Sequence, residues 1–263
     1  MEVGRTPAVL SIAGSDSGGG AGIQADLKAF ARCGVHGMTA ITAITAQSTV
    51  GVSAVEAVSP ALIVEQVRAV ASDIGVDAVK IGMLGDEATV AAVAKALELV
   101  AAAPLVLDPV MVAESGAVLL DPGAKAALVE KILPRATIAT PNLPEARELT
   151  GLDAGASQEQ LARAVRELGP AAVVVTGGHS ESGSDLFFDG EAVEIAGERH
   201  PDGGAHGSGC THSSALAAML ALGATPLEAA REARRIASEA VGAGLRDLGA
   251  GAGPVDALAR LRR

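Results

Sequence analysis

The chain has 263 residues, 49% of them apolar, a formal charge of −11, three Phe and neither Trp nor Tyr. That is enough apolar material for one sizeable core, and an acidic balance without aromatic platforms excludes a general binder of nucleic-acid backbones. Two cysteines far apart, Cys33 and Cys210, make neither a disulfide framework nor a structural zinc site, so a reducing compartment is expected.

The first apolar run, "AVLSIA" (8–13), is short and nearly continuous, as a strand covered on both faces must be. Gly14 and Asp16 cut it too early for a secretory signal, which points to a cytoplasmic protein. The Gly-rich "GSDSGGGAGIQADLK" (14–28) follows it into a helix over 21–34. This connection fits neither a Walker-type nor a dinucleotide fingerprint. It reads as a plain structural turn or as a loop where backbone approaches a small ligand, with Asp16 and Asp26 as polar candidates. Cys33, at the end of that helix, reads as packing.

A second strand over 39–46 leads into "AQST", where Gln47 can read the donor and acceptor edge of a heterocycle. A helix over 61–75, a strand over 77–82 followed by "GMLG", and a helix over 86–101 come next. The strand over 104–110 ends in "DPVM", and its Asp108 is a site carboxylate or a turn former. Glu98, Pro104 and Asp108 interrupt this stretch, so it does not read as a membrane span.

After a helix over 123–133 and a strand over 136–141, "TPNLPEA" places Asn142 and Glu145 on the first turn of a further helix. Two oxygens there suit a hydrated Mg²⁺, yet the same pair is a helix cap. Ser157 with Gln160 opens a helix over 157–169, and Gly34, Gly75 and Gly169 stand where helices should end. A strand over 171–178 runs into "TGGH", and 185–195 reads as a hairpin turning at Asp189 and Gly190. Helices from about 208, over 226–244 and near 254–262 close the chain.

The alternation predicts an α/β fold: one domain over 1–263 with a doubly wound, mostly parallel sheet. Its ligands should gather at the carboxyl ends of the strands. The turn "GGAHGSGCTHSS" (203–214) gives consecutive amides at Gly207, Ser208, Gly209 and Cys210 at a helix start, a natural anion site. The same field is expected to lower the Cys210 pKa. Cys210 then reads as a nucleophile, a proton acceptor or a small packing residue; His206 and His212 are near it in sequence.

Seven stretches in order, "IAGSDSGGGAGIQADLKAF", "ITAITAQSTVGV", "VKIGMLG", "VLDPVMVAESGAVLL", "TPNLPEA", "VVTGGH" and "HGSGCTHSSALAA", closely resemble the bacterial hydroxymethylpyrimidine/phosphomethylpyrimidine kinases of thiamine biosynthesis. These belong to the ribokinase-like superfamily, and the likeness runs from about residue 8 to 256. It implies a ribokinase-like sheet without a separate lid domain and two ATP-dependent phosphorylations, of the pyrimidine alcohol and then of its monophosphate. It implies Asp26, Gln47, Met83 and Val110 for the pyrimidine. On the nucleotide side it implies Asp108, Asn142, Glu145, Thr176, Gly178 and Ser208, with Mg²⁺ at Asn142 and Glu145. Gly207 and Gly209 would form the anion hole and Cys210 would accept the hydroxyl proton.

A homodimer and a cytoplasmic location are further implications. Three positions depart from the pattern: Thr176 and Glu114 stand where lysine is common, and Ser208 where threonine is. The rival readings are a vitamin B6 kinase, an idle pyrimidine-binding module and a covalent thiol hydrolase.

Overall fold

In the computed structural model, which describes residues 5–112, 116, 119–178, 183–200 and 203–259, the apolar runs become strands. They are β1 (Ala8–Asp16), β2 (His36–Ser48), β3 (Gly51–Ala57), β4 (Ala78–Ile81), β5 (Leu105–Leu107), β6 (Ile138–Ala139), β7 (Ala172–Val175), β8 (Asp185–Phe188) and β9 (Ala192–Ile195). One sheet holds them all in the order β3-β2-β1-β4-β5-β6-β7-β8-β9. The strands from β2 to β7 in that order pair in parallel, while β3, β8 and β9 are antiparallel additions at the two edges.

The helices are α1 (Gly22–Cys33), α2 (Pro60–Asp73), α3 (Glu87–Ala96), α4 (Pro122–Lys131), α5 (Leu143–Thr150), α6 (Gln158–Glu167), α7 (Ser208–Ala221) and α8 (Pro226–Gly242). Two hydrophobic layers fix their sides. Ile63, Val93, Leu128, Ala146 and Leu161 bring α2 through α6 onto one face. Phe30, Leu216 and Ala233 bring α1, α7 and α8 onto the other. This is the doubly wound, mostly parallel sheet that the alternation predicts, and no lid domain interrupts it among the described residues.

The boundary signals work as read. Ser157 and Gln160 form a reciprocal capping box on α6, and Gly34 ends α1 at φ 75°, where a side chain would be strained. No described helix is long and apolar enough to cross a membrane.

Three expectations need correction. The strand β3 has no counterpart among the expected elements because it is an exposed strand carried on the far end of β2, with none of the two-sided burial that marks β1, β4, β5, β6 and β7. The parallel strands β5 and β6 are only three and two residues long. The closing helix near 254–262 does not form in its described part. Instead Leu245 donates to the Pro254 carbonyl, Val255 to His206 and Asp256 to Ala240, so this segment ties α8 to the loop before α7. Residues 260–262 lie outside the described residues.

Candidate active site

A cavity of about 470 Å³ opens at the carboxyl ends of the strands. Gly14, Gln47, Met83 and Val110 line one part of it, and Asn142, Glu145, Thr176, Gly178, Asp185 and Arg234 another. Between them the Gly207–Cys210 turn forms part of the wall.

Gly207 caps α7 in the left-handed region at φ 85°. A Cβ there would overlap the Gly20 carbonyl oxygen, so the turn is held against the first Gly-rich loop by the absence of a side chain. Ser208 donates its amide to the Ala205 carbonyl, 2.9 Å. The four-amide hole expected from sequence therefore has one member already used, and the first-turn amides of Gly209 and Cys210, which have no acceptor within a helix, remain the natural donors to an anion. Ser213, one turn on, donates to Asp108 Oδ2 at 2.9 Å and fixes that carboxylate behind the turn.

The Gly-rich loop is built around Asp16. Its carboxylate accepts from the amides of Gly18 (2.7 Å), Gly20 (3.0 Å) and Ala21 (2.8 Å) and contacts His206 Nε2 at 3.0 Å. Burial alone would raise the Asp16 pKa, but His206 and these amides outweigh it and hold the carboxyl below its usual range. Lys28 Nζ donates to the Gly19 carbonyl at 2.6 Å and pins the loop from outside.

Asp26 does not line the cavity, contrary to its expected place against the pyrimidine. It is fully buried on α1. There it accepts from Ser11 (2.5 Å), from Ser214 (2.7 Å) and from Lys80 Nζ (2.9 and 3.1 Å). Lys80, equally buried, belongs to the cavity floor. The sequence reading missed it, although a lysine inside the apolar run "DAVKIG" has nowhere to go but toward a buried partner. Removing either partner of such a pair typically costs about 3–5 kcal/mol.

The Cys210 thiol does not behave as the helix-start argument predicts. Its surface reaches the cavity, but burial is the largest influence on it. With the charges of Asp26 and Asp108, burial pushes the thiol up to about 12 against the opposing effects of Lys80 and the Gly22 amide. Desolvation outweighs the helix field here.

Asn142 and Glu145 do line the cavity, and they also make the reciprocal cap of α5. Asn142 Oδ1 accepts from the Glu145 amide and Glu145 Oε2 from the Asn142 amide, both 2.9 Å. Burial, and then the charge of Asp108, push Glu145 up to about 8, while Asp108 itself is raised chiefly by burial. A buried Glu145 whose proton affinity is raised by burial and by the Asp108 charge fits a divalent cation, and Glu145 with Asn142 would hold it.

In the protein without a cation, Glu145 binds its proton more tightly folded than unfolded, where its ordinary value is 4.5. Its contribution is fully present below that value and is lost as the pH rises toward 8. Glu145→Gln keeps the capping acceptor. It is expected to flatten the fall in Tm between pH 5 and 8, measured by thermal unfolding in EDTA; an equal slope in both proteins would refute the assignment.

At the far end Asp185 accepts from the Gly177 amide at 2.8 Å and lies 3.3 Å from His212 Nε2. Burial would raise the Asp185 pKa, but His212, Arg234 and that amide hold it low. Among the described residues, His212 Nδ1 and Arg234 Nε have no hydrogen-bond partner. Thr176 donates its amide to the Pro141 carbonyl, which sets the loop after β7 beside α5. His206 and His212 thus both line the cavity, the first paired with Asp16 and the second with Asp185. Cys33 lies half-buried at the end of α1. Glu114 and the His179 of "TGGH" lie outside the described residues.

Residues 16–256 match the phosphomethylpyrimidine kinase family. The hydroxymethylpyrimidine/phosphomethylpyrimidine kinase of Rhizobium meliloti is 49% identical, covering 95% of this chain and 96% of that protein. Among solved structures, the pyridoxal kinase of Staphylococcus aureus in complex with AMP-PCP and pyridoxal is similar with a TM-score of 0.86 and 34% identity, covering 98% of this chain and 96% of that one. The phosphomethylpyrimidine kinase of Clostridium difficile is similar with a TM-score of 0.79 and 40% identity, covering 90% and 100%.

Proposed function

The chain belongs to the phosphomethylpyrimidine kinase family, and from that membership we propose that it phosphorylates hydroxymethylpyrimidine with ATP and then phosphorylates the monophosphate to the diphosphate for thiamine biosynthesis. The observation that carries the proposal is one cavity shared by a small apolar pocket at Met83 and Val110, the Gly207 turn with Cys210, and the Asn142–Glu145 pair. Phosphoryl transfer needs positioned partners, neutralised charge and a proton acceptor, and each has a candidate here.

In this reading Gln47 hydrogen-bonds the pyrimidine edge, and Met83 and Val110 cover its ring. Asp26 serves indirectly, through Lys80. The amides of Gly209 and Cys210 hold the transferred phosphoryl, with Gly207 setting their direction. Asp108, Thr176, Gly178 and Ser208 border the nucleotide, and Asn142 and Glu145 hold Mg²⁺. When bound, the ion neutralises charge on the phosphate oxygens. As the substrate oxygen bonds the γ-phosphorus, the bond to the β-phosphate oxygen breaks and ADP leaves. The hydroxyl proton passes to the Cys210 thiolate, giving a thiol that later returns the proton to water. The thiolate acts as base throughout and forms no covalent intermediate. One kinase domain over 1–263, a cytoplasmic location and a homodimer complete the reading; the long β2–β3 hairpin, which exposes Ile44, Val50 and Val55, is the proposed dimer surface.

A second reading, phosphorylation of a vitamin B6 alcohol, is favoured by the similarity to the S. aureus pyridoxal kinase. ADP release is measured with hydroxymethylpyrimidine, with its monophosphate and with pyridoxal in separate reactions. Turnover of the first two is expected. Turnover of pyridoxal alone would select the second reading, and binding of all three without turnover would select an idle module in which Thr176 has cost the activity.

A further inference from the structure

The buried pair Lys80 and Asp26 sits under the active-site cavity, and the proposed chemistry has not used it directly. Asp26 is bonded from three elements at once: Ser11 on β1 at 2.5 Å, Lys80 on β4 at 2.9 Å and Ser214 on α7 at 2.7 Å. Those contacts leave the ammonium no freedom to swing away. Both side chains are fully buried, so water screens neither. Gly82, two residues along, keeps the space clear, since a Cβ there would lie 2.8 Å from Lys80 Nζ.

The clamp and the thiol share two helices. α1 carries Asp26 and, one turn earlier, Gly22, whose backbone amide favours the Cys210 thiolate. α7 carries Cys210 and, one turn later, Ser214. The charged groups that act on the sulfur are therefore Asp26 from α1, Lys80 from β4 and Asp108 from the loop after β5. Two are negative and oppose a thiolate; Lys80 is the cation among them.

We propose that Lys80, locked in place by Asp26, is a positioning residue whose ammonium supplies the positive charge that lets Cys210 take the substrate proton. This rests on the kinase reading given above, but its physical core concerns the thiol alone. Asp26 then has a different task from recognising the pyrimidine: it fixes the height and direction of the Lys80 charge. The small hydroxyls of Ser11 and Ser214 complete the carboxylate's hydrogen bonds without adding charge, so the pair stays oriented.

The test uses the full chain in a Cys33→Ala background, leaving Cys210 as the thiol that reacts. Alkylation by iodoacetamide is followed against pH, beside kcat and KM for hydroxymethylpyrimidine. Lys80→Met is expected to slow Cys210 alkylation at pH 8 at least about tenfold, because each unit of upward shift removes nine-tenths of the thiolate. It is also expected to lower kcat about 10²-fold with KM changed less than about threefold, the kcat loss shrinking as the pH rises.

Should Lys80→Met fail to fold, Asp26→Asn/Lys80→Met is compared with Asp26→Asn, so that the opposing charge of Asp26 is absent from both, and the double variant is expected to alkylate the more slowly of the two. A folded Lys80→Met protein that alkylates like the parent, or a folded double variant that alkylates like Asp26→Asn, would overturn the proposal. A parent that alkylates as expected but phosphorylates no pyrimidine would overturn the kinase reading while leaving the Lys80 assignment standing.

Discussion

Replacing Cys210 by alanine is expected to lower turnover of hydroxymethylpyrimidine by about 10²–10⁴, the usual worth of a positioned proton acceptor, while the pyrimidine Kd stays nearly unchanged. The substitution removes one sulfur and leaves the turn intact, because Gly207 sets its backbone and Ser213 still bonds Asp108. The pH profile adds a sharper sign. With the thiol pushed up to about 12, the thiolate fraction grows tenfold per pH unit throughout the neutral range. In the parent protein log kcat should therefore climb with a slope near one wherever the chemical step limits the rate, and the alanine protein should lose that slope. ADP release gives turnover and calorimetry gives binding. Near-parental kcat in the alanine protein would remove Cys210 from the proton's path.

The sheet was legible because strands buried on both faces carry a local signature that needs no tertiary information. "AVLSIA" and "AVVV" could hardly be anything else, and the caps at Ser157 and Gly34 act within a single turn. What escaped was set by distant partners. The strand β3 exists because the end of β2 offers it an edge, and 254–256 is not helical because α8 and His206 claim its backbone. In the site, a helix start and a glycine turn correctly located Cys210, but its proton affinity depends on the buried charges of Lys80, Asp26 and Asp108, contributed by three other segments. Asp26 looked like a ligand contact because it follows a Gly-rich loop; only the fold reveals that it turns inward to Lys80. For Asn142 and Glu145 the capping reading holds, and the geometry that caps α5 also presents Glu145 to the cavity, where the proposed cation would sit.

Gly207→Ala is expected to lower kcat by about 10³ and to cost stability as well, for two separable reasons. An L-residue at φ 85° carries a left-handed penalty of roughly 1–2 kcal/mol. The added methyl would also overlap the Gly20 carbonyl, so either the α7 turn or the 18–21 loop must move. Movement of the turn displaces the amides of Gly209 and Cys210, and loss of one preorganised donor alone costs about 10²–10³. Movement of the loop loosens the amides of Gly18, Gly20 and Ala21 that enclose Asp16. Gly223→Ala separates strain from site damage: Gly223 has φ 89° just beyond the other end of α7, with nothing within 4 Å of its added Cβ. It should lower Tm through the left-handed penalty and keep kcat within about twofold, since strain at that end reaches no donor. Thermal unfolding and ADP release on the two variants give the comparison. Equal kcat losses would trace the effect to general destabilisation, whereas a loss confined to Gly207→Ala ties it to the turn proposed to hold the moving phosphoryl group.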